Sequence, residues 1–180
     1  MMNVFYEKEE FIRNRVPIRL FLHYYKDDRI FTPIHWHRCL EINLTLVGEI
    51  IQCINGNYMA CGPGDLCIVN SGMIHSNYSK GQQPEIQMIT LQISIAFLEN
   101  WLGENMVFCL PEHNREREEI KKIILKIVQE STELKAHHEL RQIELIFRLL
   151  VLLSRSCIKK DTEKRRQKEG GQRFKDVLDY

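Results

Sequence analysis

The sequence predicts a mainly β domain with helices added at its C-terminal end. Three observations lead there. Short alternating or branched runs, separated by closely spaced turn signals, occupy most of residues 16–93. After Ser94 the apolar spacing changes to a helical period. Between them, from His35 to His75, three histidines and a glutamate fall where extended strands would bring them together.

Residues 1–15 are polar and mixed, with Phe5, Tyr6, Phe11 and Ile12 as anchors, and read as an arm rather than an element. Val16 to Tyr25 alternates and is rich in aromatic and branched residues, so it predicts a strand; Lys26-Asp27-Asp28-Arg29 breaks it. Glu41–Val47 and Glu49–Ile54 are strands about Gly48, and Asn55-Gly56 is a two-residue hairpin signal. Tyr58 to Cys61 returns, Gly62 to Asp65 turns, and Leu66 to Val69 is a short strand. Asn77 to Glu85 reads as a loop and Ile86 to Ile93 as a strand. This much is compatible with a barrel or a sandwich.

Ala96 to Leu102 predicts a short helix. From about Arg115, apolar residues recur at Ile120, Ile123, Ile124, Ile127 and Val128 with charges between, which predicts an amphipathic helix. The pattern breaks around Ala136-His137-His138, and Leu140 to Ser156 forms a second helix, giving a two-helix antiparallel hairpin. Its centre, Ile146 to Leu153, is apolar nearly all round and must be covered on more than one side. An intramolecular pack would do this; a homodimer through Ile146, Leu149, Leu150 and Leu153 is the favoured expectation. Residues 159–173 are charged and end in Gly170-Gly171, a solvated linker. Residues 174–180 restart a helical pattern, as if another domain began there. The expected organisation is therefore an arm at 1–15, the β domain at 16–110, a helical dimerisation unit at 111–158, a linker at 159–173 and a new domain from 174.

The totals exclude several classes. Net charge is +1, so the chain as a whole is no polyanion binder, and no apolar run is long enough to span a membrane. The N-terminus lacks the basic-then-apolar order of a secretory signal. Cys39, Cys53, Cys61, Cys67, Cys109 and Cys157 have no CxxC or framework spacing and read as reduced thiols of a cytoplasmic protein.

His35, His37 and Glu41 share one parity, so an extended strand would project them together, with His75 joining from a neighbour. Neutral imidazoles and a carboxylate suit Zn, Fe, Mn or Ni. The plainer alternative is that they hydrogen-bond one another or an organic ligand. By the same parity Asn43 and Thr45 face inward, while Ile42, Leu44 and Leu46 face the outer layer. Effector-binding candidates are thus His35, His37, Glu41, Asn43, Thr45 and His75, with Tyr24, Tyr58, Asn70 and Tyr78 of lower grade. Trp36 has the opposite parity and packs outside or at the rim.

The spacing His35-x-His37, three residues, Glu41, six residues, Gly48 resembles the first cupin motif. Gly64, five residues, Asn70-Ser71-Gly72, two residues, His75 resembles the second, departing from it at Asn70, where proline is usual, and at Ser79, where asparagine is usual. The resemblance implies a double-stranded β-barrel (jelly roll) enclosing the site. The order of barrel, helix pair, charged linker and new helix resembles AraC-type transcription regulators, as do HWHRCLE (His35–Glu41), PGDLCIVNSGMIH (Pro63–His75) and FKDVLDY (Phe174–Tyr180). It implies a barrel sensing a small effector, which in this family can be a sugar, commonly without metal. It also implies a homodimer, DNA contacts only through a C-terminal helix-turn-helix domain absent from this chain, and an arm that folds over the mouth and brings Arg13 and Arg15 near. The competing reading is a metal-dependent cupin enzyme, an oxygenase or isomerase; beyond the four ligands the sequence marks no dedicated base, Glu49 and Asp65 being the acidic residues left open for that role. A bare dimerisation module would instead have a solidly packed barrel.

Overall fold

The computed structural model describes residues 4–8, 16–26 and 31–158. Arg13, Arg15, Phe11 and Ile12 of the expected arm, the linker at 159–173 and residues 174–180 lie outside the described residues.

The chain forms β1 (Phe5–Tyr6), β2 (Ile18–Lys26), β3 (Phe31–Trp36), β4 (Leu40–Val47), β5 (Ile50–Ile54), β6 (Asn57–Cys61), β7 (Leu66–Val69), β8 (His75–Ser79) and β9 (Glu85–Ile93). Helices α1 (Ile95–Leu102), α2 (Asn114–Glu133) and α3 (His138–Ser156) follow. One sheet has the order β1-β3-β8-β5-β6, the other β2-β9-β4-β7. The expected closed barrel is corrected to two facing sheets, with no hydrogen-bonded closure between them among the described residues. Strands change sheet at chain corners, as β4 does into β5 at Gly48, so the sheets are joined by the chain rather than by a ladder. Side chains cross the gap: Asn43 Nδ2 on β4 donates to Gln52 Oε1 on β5 at 3.4 Å.

Asn55 and Gly56 both have positive φ, 47° and 79°, the requirement of the tight turn that joins β5 to β6 in register Ile54↔Asn57. Two elements depart from expectation. Phe5–Tyr6 pairs in parallel with His35–Trp36, so part of the arm is a strand. Residues 75–79 are a strand although Asn77–Ser79 reads as loop, because HSNYS faces a polar interior and carries no branched residue to signal it.

The apolar core does not lie between the sheets. Ile42, Leu44, Ile89 and Leu91 on the outer face of the four-stranded sheet pack with Ile120, Ile124 and Ile127 of α2 and Leu145, Leu149 and Leu153 of α3. The helices run antiparallel, tied by Gln142 Nε2 donating to Ser131 Oγ at 2.7 Å and by the Arg148–Glu119 ion pair. Ile146, Leu149, Leu150 and Leu153, expected at a dimer interface, are at most 5% exposed within the single chain. Sheet and α2 together cover the apolar girdle of α3, which removes those four side chains from any surface. Among the described residues a small apolar cluster lies between the sheets: Ile50, Ile86 and Met88, flanked by Tyr25.

Gly48 makes the corner with φ 81°, and a Cβ there would lie 2.8 Å from the Glu85 carbonyl oxygen. Gly48→Ala is expected to lower stability by about 1–3 kcal/mol from backbone strain alone, read as a lower urea midpoint at unchanged slope.

Candidate functional site

Polar side chains fill the space between the sheets. His35 stands on β3, His37 just past its end, His75 opens β8, and Glu41 lies on β4. All four are buried, at 5% exposure or less. The five-stranded sheet sets His75 beside His35, their Cα atoms in register. Ring centroids of His35 and His75 are 4.1 Å apart, and those of His37 and His75 4.7 Å.

His35 Nδ1 donates to the Pro33 carbonyl at 2.8 Å and His75 Nδ1 to the Met73 carbonyl at 3.0 Å. A carbonyl only accepts, so each Nδ1 carries the proton and a neutral ring offers its Nε2 lone pair. One nitrogen from each of His35, His37 and His75 lies within 4.8 Å of the others. Backbone carbonyls orienting imidazoles in this way are the usual support of metal-ligating histidines.

Glu41 is held from several sides. Its Oε1 accepts from Asn43 Nδ2 at 2.8 Å, and its Oε2 from Gln92 Nε2 and His37 Nε2, both at 3.0 Å. His75 Nε2 lies 3.7 Å from Oε1. Burial opposes the charged carboxylate, but His37 and then His75 outweigh it and hold the Glu41 pKa well below the ordinary 4.5. A chain of hydrogen bonds leads away from it: His23 Nε2 to Thr90 Oγ1 at 3.1 Å, and Thr90 Oγ1 to Asn43 Oδ1 at 2.7 Å. Burial pushes the His23 pKa down, against the pull of Glu41.

Several buried polar atoms have no partner among the described residues. His37 Nδ1, Gln52 Nε2, His75 Nε2, Asn77 Oδ1 and Gln92 Oε1 all belong to this cluster. Leaving such groups unsatisfied costs about 1–3 kcal/mol each, so a packed, purely structural interior would not gather them. A cavity of about 180 Å³ is lined in part by His23, His35, Glu41 and Thr90, and by Asn77 and Gln92 of the unpartnered set.

Glu7 closes one side. Its backbone N–H donates to the Trp36 carbonyl at 2.9 Å, Arg19 Nη2 reaches its Oε1 at 2.9 Å, and its Oε2 lies 3.3 Å from His35 Nε2. The bond with His35 is the main cause that lowers the Glu7 pKa to about 2, against burial and with Arg19 helping. Burial lowers the His35 pKa, but Glu7 and the Pro33 carbonyl together raise it above 6.5. The folded pKa of Glu7 is depressed, so its contribution is complete above 4.5 and fades as pH falls toward about 2. That of His35 is raised, so its contribution is complete below 6.5 and fades as pH rises through the folded value. Docking of β1 in the metal-free protein is therefore expected to be tightest between pH 4.5 and 6.5. Amide exchange at Glu7, corrected for its intrinsic pH dependence, should be slowest in that window.

The structure thus brings together His35, His37, Glu41, Asn43 and His75, and Thr45 is buried on the same strand. It does not bring the others in. Tyr24 and Tyr58 are 62% and 69% exposed. Trp36 packs against Tyr6 in a tilted ring pair, 4.6 Å centroid to centroid. Asn70 clamps the Phe108 backbone, donating to its carbonyl at 2.8 Å and accepting from its N–H at 2.7 Å. Glu49 is exposed and paired with Lys80, and exposed Asp65 caps the Gly62 N–H. Residues not singled out from the sequence complete the site: Glu7, His23, Gln52, Asn77, Thr90 and Gln92. Parity along β2 and β9 carried a signal for His23, Thr90 and Gln92; nothing marked Glu7.

A family model described as an AraC-like ligand binding domain matches residues 17–150. No curated protein matches the chain. Among solved structures, a cupin superfamily protein from Desulfitobacterium hafniense is 17% identical, with TM-score 0.39 over 43% of this chain and 68% of its own. A Cupin 2 conserved barrel domain protein from Salinispora arenicola is 15% identical, with TM-score 0.41 over 51% of this chain and 76% of its own. A predicted oxalate decarboxylase from Thermotoga maritima is 22% identical, with TM-score 0.40 over 44% and 69%. Among the described residues no helix is long and apolar enough to cross a membrane.

Proposed function

This chain belongs to the family of AraC-like ligand binding domains, and from that membership we propose that it is the effector-sensing domain of an AraC-type transcription regulator. The observation that carries the proposal is a cavity between the sheets whose lining includes the unpartnered polar atoms Asn77 Oδ1 and Gln92 Oε1. Such a site suits a small polar effector, a sugar among them, whose hydroxyls can pair with Gln92 Oε1 and Asn77 Oδ1.

The three histidines also suit a divalent transition metal. His75 Nε2 is a buried lone pair without a partner, and the rings are pre-oriented by backbone carbonyls. His35, His37 and His75 would hold it, with Glu41 beside them. A bound metal would supply a Lewis acid that fixes an effector oxygen or carboxylate. The proposed role is binding rather than catalysis; turnover of any compound by a metal-loaded sample would favour the enzyme reading instead.

Occupancy can reach the helices through two strands. Glu41 on β4, and Thr90 and Gln92 on β9, line the cavity, and Asn43 on β4 hydrogen-bonds Glu41 beside it. Ile42, Leu44, Ile89 and Leu91 on the same strands face α2 and α3. A shift of either strand on one side is felt on the other, because packed layers do not deform continuously. The effector must bind one arrangement better than another. In the proposed homodimer the contact uses the outward faces of α2 and α3, where Leu125 and Val151 are 45% and 46% exposed. DNA contacts are assigned to a region outside residues 4–158.

A thermal-shift screen of small polar compounds, with and without divalent metals, tests the proposal. A true effector at a hundredfold excess over its Kd should stabilise the fold by about 2.7 kcal/mol, and Gln92→Leu should abolish the response. Stabilisation that survives Gln92→Leu would place the ligand elsewhere.

A further inference from the structure

Glu7 and His35 meet in a way that neither residue explains alone. The Pro33 carbonyl takes the Nδ1 proton of His35, so in the neutral ring Nε2 is a lone pair. Facing it at 3.3 Å is Glu7 Oε2, which is also an acceptor. Two acceptors sit at that distance favourably only with a proton or a metal ion between or beside them. Two ligand atoms of one tetrahedral Zn²⁺ stand about 3.4 Å apart, given bonds of about 2.0–2.2 Å. The observed separation matches such an edge. Glu41, the carboxylate that the sequence motif nominates, is differently placed. Both of its oxygens already accept protein donors, from Asn43 on one side and from Gln92 and His37 on the other. Glu7 uses Oε1 for Arg19 and turns Oε2 to His35, one of the three histidines.

We propose that Glu7 is a direct ligand of a divalent metal held by His35, His37 and His75, so that the metal clips the N-terminal segment onto the β domain. The inference rests on the metal-binding capacity proposed above. Metal occupancy is then coupled to the docking of β1, which otherwise depends on its pairing with β3, the Glu7 amide bond to Trp36, the Arg19 contact and the Glu7–His35 contact. By reciprocity, whatever loosens β1 weakens the metal.

The test compares wild type with Glu7→Gln, which keeps the size and can still accept from Arg19. Calorimetric titration with Zn²⁺ should show affinity at least about tenfold weaker in the variant, since even outer-shell partners are worth that much. The visible spectrum of the Co²⁺-loaded proteins should differ, because a carboxylate ligand has been lost. Zn²⁺ should slow amide exchange at Glu7 in wild type. Equal affinities overturn the inference and leave the histidine site standing. Weaker affinity with an unchanged Co²⁺ spectrum also overturns it, reducing Glu7 to a positioning residue. Wild type that binds no Zn²⁺ overturns this inference and the metal part of the proposed function together.

Discussion

Leu149→Asp is expected to leave no folded protein, and Leu149→Ala to cost about 2–5 kcal/mol. Leu149 is fully buried in the cluster shared by α3, α2 and the outer face of the four-stranded sheet. Alanine removes its apolar contacts and leaves a void that the surrounding branched side chains fill only partly. Aspartate adds an unpaired carboxylate inside the same apolar cluster. The contrast is Val151→Asp on the outward side of α3, where the side chain is 46% exposed. Its effect on stability should stay within about 0.5 kcal/mol, while a dimer using that face should dissociate. Urea unfolding and sedimentation, run on the three variants, separate the effects. A folded, monomeric Leu149→Asp would mean that this residue faces a second copy rather than the chain's own sheet.

Glu41→Ala is expected to cost about 3–5 kcal/mol, the usual penalty for removing one partner from a buried charged network. Asn43 Nδ2, Gln92 Nε2 and His37 Nε2 would all lose their acceptor. Glu41→Gln should cost less, because one oxygen remains to accept. The pH dependence has a definite sign. The folded pKa of Glu41 is held well below 4.5, so its contribution is complete above 4.5 and is lost as pH falls through the folded value. The stability gap between metal-free wild type and Glu41→Gln should therefore be flat at neutral pH and narrow in acid. A gap that widened in acid would show that Glu41 is protonated in the folded state.

Much of the site was legible because strands alternate. Parity alone put Glu41 and Asn43 inward and Ile42 and Leu44 outward, and the structure places them so. His37 is instructive: it lies beyond the end of β3, so strand parity does not strictly apply, yet its ring reaches Glu41 from the bend before β4. What remained hidden depended on pairing between distant segments. His23, Thr90 and Asn43 connect only because β2 and β4 both flank β9, and no local pattern reports that order. Glu7 arrives through a two-residue parallel strand, too short to leave a periodic signal. The apolar girdle of α3 was visible, but periodicity cannot say whether its cover comes from the same chain or another. The sheet's apolar outer face answers that here.

The central claim is that the histidine cluster between the sheets is a binding site and not inert packing. Nitrogen-resolved NMR of the imidazoles during a Zn²⁺ titration tests it most directly. The account predicts that His35, His37 and His75 shift together and saturate at one equivalent, while the remaining histidines, including His113, His137 and His138, do not move. Saturation with no change at those three rings, or shifts confined to the others, would contradict it.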